Sequence, residues 1–129
     1  MNARALIETR LAAVVPAGVR VVHENVEDGP AADETWLLAR DEPGHEWRVD
    51  RLRRRLGTYH LALHAPVNEG PGAAETTAHA LAKAMEREIL HGEGLVVWPG
   101  AVQRGAGELA GSWFRLPLEL PYLVTEVAQ

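Results

Sequence analysis

The chain has 129 residues, 47% of them apolar and 24% charged, and carries a net charge of −5. That length and composition indicate one globular domain over 1–129 and exclude a disordered or fibrous chain. Cysteine is absent, which rules out disulfides, thiolate metal sites and a cysteine nucleophile. No apolar run approaches the roughly 18 residues a membrane span needs, and acids and a proline interrupt the first thirty residues, so neither a membrane segment nor a secretory leader is expected. Twelve of the thirteen cations are Arg and the other is Lys83. Arg is the better interface cation, being planar, weakly hydrated and bidentate.

Ala3, Leu6, Ile7, Leu11 and Val14 recur at helical spacing between Asn2, a capping residue, and Pro16, a stop. This predicts a helix over 3–14. The β-branched run Val19 to His23 suits a strand. Residues 24–34 carry Glu24, Glu27, Asp28, Asp33 and Glu34 around Gly29-Pro30, which predicts an exposed acidic loop. Thr35 to Arg40 is a second strand, closed by a turn at Asp41 to Gly44.

Tyr59 to Ala65 alternates, with Tyr59, Leu61 and Leu63 on one side and His60, Ala62 and His64 on the other. Ala74, Ala78, Leu81, Ala82, Met85 and Ile89 form one helical stripe, so a second helix is expected over 73–90 with Gly92 as its left-handed terminus. Leu95 to Trp98 reads as a strand stopped by Pro99-Gly100, with Ala101 to Gln103 continuing its hairpin. The glycines between Arg104 and Ser112 predict a mobile loop that orders on assembly. Trp113 to Val127 alternates again. Its Pro117 and Pro121 have the same parity, so their missing N–H donors lie along one side, and this strand should be a sheet edge or should pair irregularly there. Two helices on a mostly antiparallel sheet make a two-layer α+β domain.

Chemistry is sparse. The lone serine, Ser112, lacks the glycine pattern of a nucleophile elbow. His60 and His64, four apart on a strand, stand roughly 13 Å from each other, too far to share a metal ion. Gly70-Pro71-Gly72 precedes a helix but lacks the Lys and Ser/Thr of a phosphate loop. No metal, cofactor or catalytic residue is therefore expected.

Five Arg at 48, 51, 53, 54 and 55 surround Asp50. In an extended chain Arg51, Arg53 and Arg55 share one face, opposite Leu52, Arg54 and Leu56. The run suits nucleic acid, a subunit or partner surface meeting the acidic stretch 24–34, or a merely solvated strand. Overall acidity and the lack of interleaved aromatic residues favour the protein interface.

Several segments together have a familiar pattern: the Ala-rich first helix, His23-Glu24-Asn25-Val26, Gly57-Thr58-Tyr59 leading to Pro66, the Ala-rich second helix, and Trp113 through Tyr122. Across nearly the whole chain this resembles the tail terminator, or tail completion, proteins of long-tailed bacteriophages and prophages, with the lambda-type fold. The Arg-rich stretch 51–55 departs from that pattern. The resemblance implies a structural virion protein and no enzyme: a homo-hexameric ring at the head-proximal end of the tail. Such a ring stops polymerisation of the major tail tube protein and presents a surface to the head-tail connector. DNA would pass through its lumen without specific binding, since copies of charge −5 repel phosphate. The interface residues expected are Arg51, Arg53 and Arg55 against Glu27 and Asp28, with Trp47 beside them. Another neck protein, or an α+β domain binding a small ligand between helix 73–90 and the sheet, are the alternatives.

Overall fold

The computed structural model describes residues 2–23 and 34–127. It is an α+β structure in which two helices accompany a curled, mixed eight-stranded sheet. Helix α1 spans Ala3–Val14, as its periodicity predicts, and the Asn2 side chain caps it by accepting from the Ala5 N–H at 2.8 Å. Strand β1 (Val19–His23) then pairs in parallel with β2, the one parallel contact in the sheet among the described residues. The expected acidic loop, with Glu27 and Asp28, lies outside the described residues.

Strand β2 covers Thr35–Val49, so no turn closes it at Asp41 to Gly44. The partner strand β3 (Leu52–Pro66) keeps pairing beyond that point. One extra residue is absorbed where the register moves from Pro43↔Gly57 to Glu46↔Arg55, a β-bulge. Gly44 is required there because a Cβ would stand 2.8 Å from the Leu56 carbonyl oxygen. The two-residue turn Asp50-Arg51 joins the strands, with Asp50 at φ 58, a left-handed conformation that Asp tolerates.

A 3-10 turn, Val67–Glu69, leads into helix α2 at Gly70–Met85, which is earlier at both ends than the expected 73–90. Pro71 fits the first turn, where its missing N–H costs nothing. The helix stops because Glu86 is extended and Arg87 takes φ 60, which leaves Ile89 exposed rather than on the apolar stripe. Gly92 is part of β4 (Leu90–Gly92), which makes a hairpin with β5 (Leu95–Pro99). Its lack of a side chain admits Leu6, whose Cδ1 would be 3.1 Å from a Cβ there.

Residues 104–112 are only partly irregular. Strands β6 (Gln103–Arg104) and β7 (Glu108–Ala110) both pair with β8 (Trp113–Val127). Ala101 to Gln103 therefore does not continue the β5 hairpin; the chain passes on to β8 instead. The sheet order is β1-β2-β3-β8-β5-β4, with β6 and β7 also on β8. Strand β8 is thus interior, but its far side pairs irregularly, as the proline parity requires. The Pro117 and Pro121 carbonyls accept from the Gly105 and Gly100 N–H groups at 2.9 and 2.7 Å, and the neighbours on that side come as the short pieces β5, β6 and β7.

A single core joins Leu6, Ile7 and Leu11 of α1 and Ala78, Leu81 and Met85 of α2 to one parity of the strands: Leu37 and Ala39, Tyr59 to Ala65 at odd positions, and Leu116 to Val124 at even ones. The opposite parity contributes nothing to it. No helix among the described residues is long and apolar enough to cross a membrane.

Candidate interaction surface

The side chains of opposite parity make the second face of the sheet, and the strand register arranges them in rows. At the hairpin end, Val49, Leu52 and Val127 stand side by side. Next come Trp47, Arg54, Thr125 and Val96, then Leu56, Leu123 and Trp98. Five of these are large apolar residues left open to solvent: Val49 51%, Leu52 38%, Leu56 50%, Trp98 45% and Val127 55% exposed. So many on one side of one end is more than scattered surface hydrophobes would give, which makes this end the candidate contact surface. A groove of about 430 Å³ runs between Leu56, Trp98, Pro121 and Leu123, with Glu42 at its rim.

Arg54 lies within this apolar end. Its Nε is buried and has no hydrogen-bond partner, and the neighbouring Thr125 hydroxyl is in the same condition. A buried N–H without an acceptor costs free energy, which a partner bringing an acceptor would relieve.

The middle of the face is polar. His60 stands between two carboxylates, Nε2 at 3.3 Å from Glu42 and Nδ1 at 3.7 Å from Glu119, and Arg40 reaches Glu42 at 3.5 Å. The far end is aromatic: the His64 ring stacks on Trp36 with centroids 3.7 Å apart, and Trp113 meets both rings edge-on. Trp113 also donates from Nε1 to the Glu34 carbonyl at 3.2 Å. His60 and His64 thus lie on one face of β3, in separate settings. Among the described residues no group of three or more His, Cys, Asp or Glu is placed to hold a metal ion.

Burial takes His64 below the ordinary imidazole value; the Arg115 charge acts in the same direction, and the hydrogen bond from Nδ1 to the Ala62 carbonyl at 3.0 Å opposes them. The unfolded chain takes up this proton as pH falls through about 6.5, while the folded chain resists until lower pH. Unfolding therefore gains protons, and stability should decline below about pH 7, by at most about 1.4 kcal/mol per pH unit from this group. Urea midpoints measured from pH 7 to 5 should show the decline, and His64→Phe should flatten it. An unchanged profile in that variant would assign the decline to other groups.

The structure divides the expected interface residues. Arg51 occupies the hairpin turn and does not align with Arg53 and Arg55, because β3 begins only at Leu52. Arg53 and Arg55 do share a face, but it is the helix side. There Arg53 lies 3.9 Å from Glu46 and 4.0 Å from Glu126 of its own chain, both at exposed sites. Arg55 is directed inward beside Tyr122, whose hydroxyl donates to Asp41 Oδ1 at 2.5 Å. Trp47 is half-buried on the open face, its ring stacked with His45 at 5.8 Å. Glu27 and Asp28 lie outside the described residues. Sequence reasoning passed over Arg54, Leu56 and Trp98. The alternation of Leu52, Arg54 and Leu56 was visible, but the rows that bring Trp98 and Val127 beside them depend on β8.

No family model matches this chain, and no curated protein does. Solved structures do share its fold. A chain from the virion of a native gene transfer agent particle aligns with a TM-score of 0.64 and 16% identity, over 95% of this chain and 94% of its own length. Another solved chain, which carries no functional name, aligns with a TM-score of 0.72 and 22% identity over 98% of this chain and 95% of its own. At these identities the likeness is one of fold.

Proposed function

We propose that the chain is a structural component of a phage-like virion, and within that class a tail terminator. In this role copies close into a six-membered ring on the head-proximal end of the tail, stop growth of the tube and offer the opposite surface to the head-tail connector. DNA passes through the lumen without specific binding, and the chain performs no catalysis. The observation that carries the reading is the near full-length likeness in fold to a chain of a gene transfer agent virion. The terminator assignment adds the sequence resemblance across the N-terminal helix, the Gly57 to Pro66 strand and the Trp113 to Tyr122 strand.

Segregated charge supports a protein interface. The hairpin holding Arg51 and Arg53 projects exposed cations, and the stretch containing Glu27 and Asp28 holds acids without a single cation. Contact between those two segments across a subunit or tube boundary is the arrangement proposed, with Trp47 at its margin.

Electron microscopy of particles made with and without this chain tests the role. Over-long tubes lacking heads are the expected result of its removal. Tubes of normal length without heads would replace the terminator by a neck connector, a role the same likeness in fold accommodates. Unchanged particles would overturn both.

A further inference from the structure

Backbone directions follow from the strand register. The Pro117 and Pro121 carbonyls point to the β5 side of β8, where they accept from Gly105 and Gly100, and successive residues of a strand turn N–H and C=O to alternate neighbours. Carried across the pairs, this directs Val96 and Trp98 toward β8, Leu95 and Val97 toward β4, and leaves His91 of β4 facing outward. On the other flank it directs Trp47 and Val49 toward β3 and leaves Glu46 and Arg48 facing outward. Pro43 faces outward too, where its missing N–H costs no ladder bond. Strand β1 covers only Thr35 to Ala39 of β2, and β4 ends the sheet, so among the described residues neither outward stretch has a strand beside it.

The two bare edges match. Four antiparallel steps separate β2 from β4, so both run in the same direction, and His91, Val96, Thr125, Arg54 and Trp47 stand in one row across the sheet. We propose that these edges join between copies of this chain: β4 of one copy adds in parallel to Glu46 through Val49 of a second, with His91 opposite Trp47. The His91 N–H then donates to the Glu46 carbonyl and the Arg48 N–H to the His91 carbonyl, the slanted pattern of a parallel ladder. The His91 and Trp47 side chains emerge together on the open face as an aromatic cross-strand pair. On the helix face Gly92 falls beside Arg48 and leaves it room. The exposed Ile89, just ahead of β4, and Val49, at the end of β2, lie at the seam. Charge agrees with the pairing: residues 46–55 hold five Arg against Glu46 and Asp50, a net of +3, and residues 86–93 hold three Glu against Arg87, a net of −2. Pairing β2 with another β2 would bring the two positive hairpins together. Within one chain β3, β8 and β5 keep the edges apart. Unlike edges of this kind join head to tail, and the sheet continues from copy to copy in a ring or an open ribbon.

The absence of cysteine lets single introduced thiols report the contact, and neighbouring strands, about 4.8 Å apart, suit a disulfide. On mild oxidation a mixture of Trp47→Cys and His91→Cys chains should give linked pairs containing one of each, and neither variant alone should link to that extent. A chain carrying both should give a ladder of linked oligomers. Arg40→Cys, on the same strand and face but beyond Pro43, should not link to His91→Cys. Sedimentation velocity supplies a second arm: His91→Pro removes only an outward N–H, so it should weaken association at least tenfold while the thermal midpoint of the dilute chain stays unchanged. A wild-type chain monomeric at about 100 µM, Trp47→Cys chains that link to one another as readily as to His91→Cys, or equal linking through Arg40→Cys would each overturn the proposal. It shares with the proposed function only self-association: a chain that links this way yet leaves tube length unchanged keeps the inference and loses the tail role, and a chain required for tube length that fails to link does the reverse.

Discussion

Gly57→Val should destabilise the fold by about 2–5 kcal/mol and lower the thermal midpoint by roughly 10 °C or more. Gly57 is in the middle of β3, in register with Pro43 of β2 and Tyr122 of β8. The Tyr122 ring leaves β8, crosses the bare Gly57 backbone and delivers its hydroxyl to Asp41 on β2 at 2.5 Å. A Cβ at position 57 would overlap the ring and its hydroxyl. Tyr122 is 2% exposed, so the ring cannot swing into solvent without opening the core. The substitution thus adds volume to packed interior and parts a half-buried hydrogen bond to a carboxylate. In a Tyr122→Ala background the clash is gone, and the cost of Gly57→Val should fall well below its cost in the wild type. Urea melts of the four chains in this cycle measure the coupling; equal costs in both backgrounds would show that the ring does not lie over Gly57.

Raising the pH from about 9 to 11 should cost the folded state far more than the acid decline linked to His64. Tyr59 and Tyr122 are 1% and 2% exposed. Burial raises both phenols well above the ordinary value, helped by the Glu8 and Asp41 charges at Tyr59 and by the Asp41 hydrogen bond and charge at Tyr122, with Arg55 opposing at the latter. Unfolded tyrosines lose their protons near pH 10. Above that value unfolding releases two protons that the native state retains, so their contribution is complete below pH 10 and is lost as pH rises toward the folded values. The slope approaches about 1.4 kcal/mol per pH unit for each tyrosine. These are the only two tyrosines in the chain, so phenolate absorbance reports them without interference from others. Urea midpoints at pH 9, 10 and 11 should fall steeply, and Tyr122→Phe should remove about half of the slope. A flat profile would mean that both phenols ionise in the folded protein.

Local signals were legible wherever one residue type decides backbone geometry. Asn2 and Pro16 delimit α1, the Pro117 and Pro121 parity foretells the broken pairing beside β8, and the Tyr59 to Ala65 alternation sorts core from open face. The misplaced boundaries lie where a distant partner decides. Residues 41–44 look like a turn, yet β3 supplies hydrogen bonds through them and the extra residue goes into a bulge. Residues 86–90 suit a helix, yet Leu90 to Gly92 gains a partner in β5 and a contact with Leu6. Pairing partners far along the chain outweigh local propensity at such places.

The interaction surface divides in the same way. The sequence by itself determined that this is a cysteine-free α+β domain, that its cations cluster at 48–55, and which strand residues share a side, because composition and the two-residue period are local properties. Only the tertiary structure decided which side the helices cover, that Arg53 and Arg55 turn toward it while Arg54 remains among Leu52, Leu56 and Trp98, and that β8 brings Val127 and Leu123 beside them. The reason is register: a neighbouring strand is chosen by pairing across long stretches of chain, and a shift of one residue would exchange the two faces.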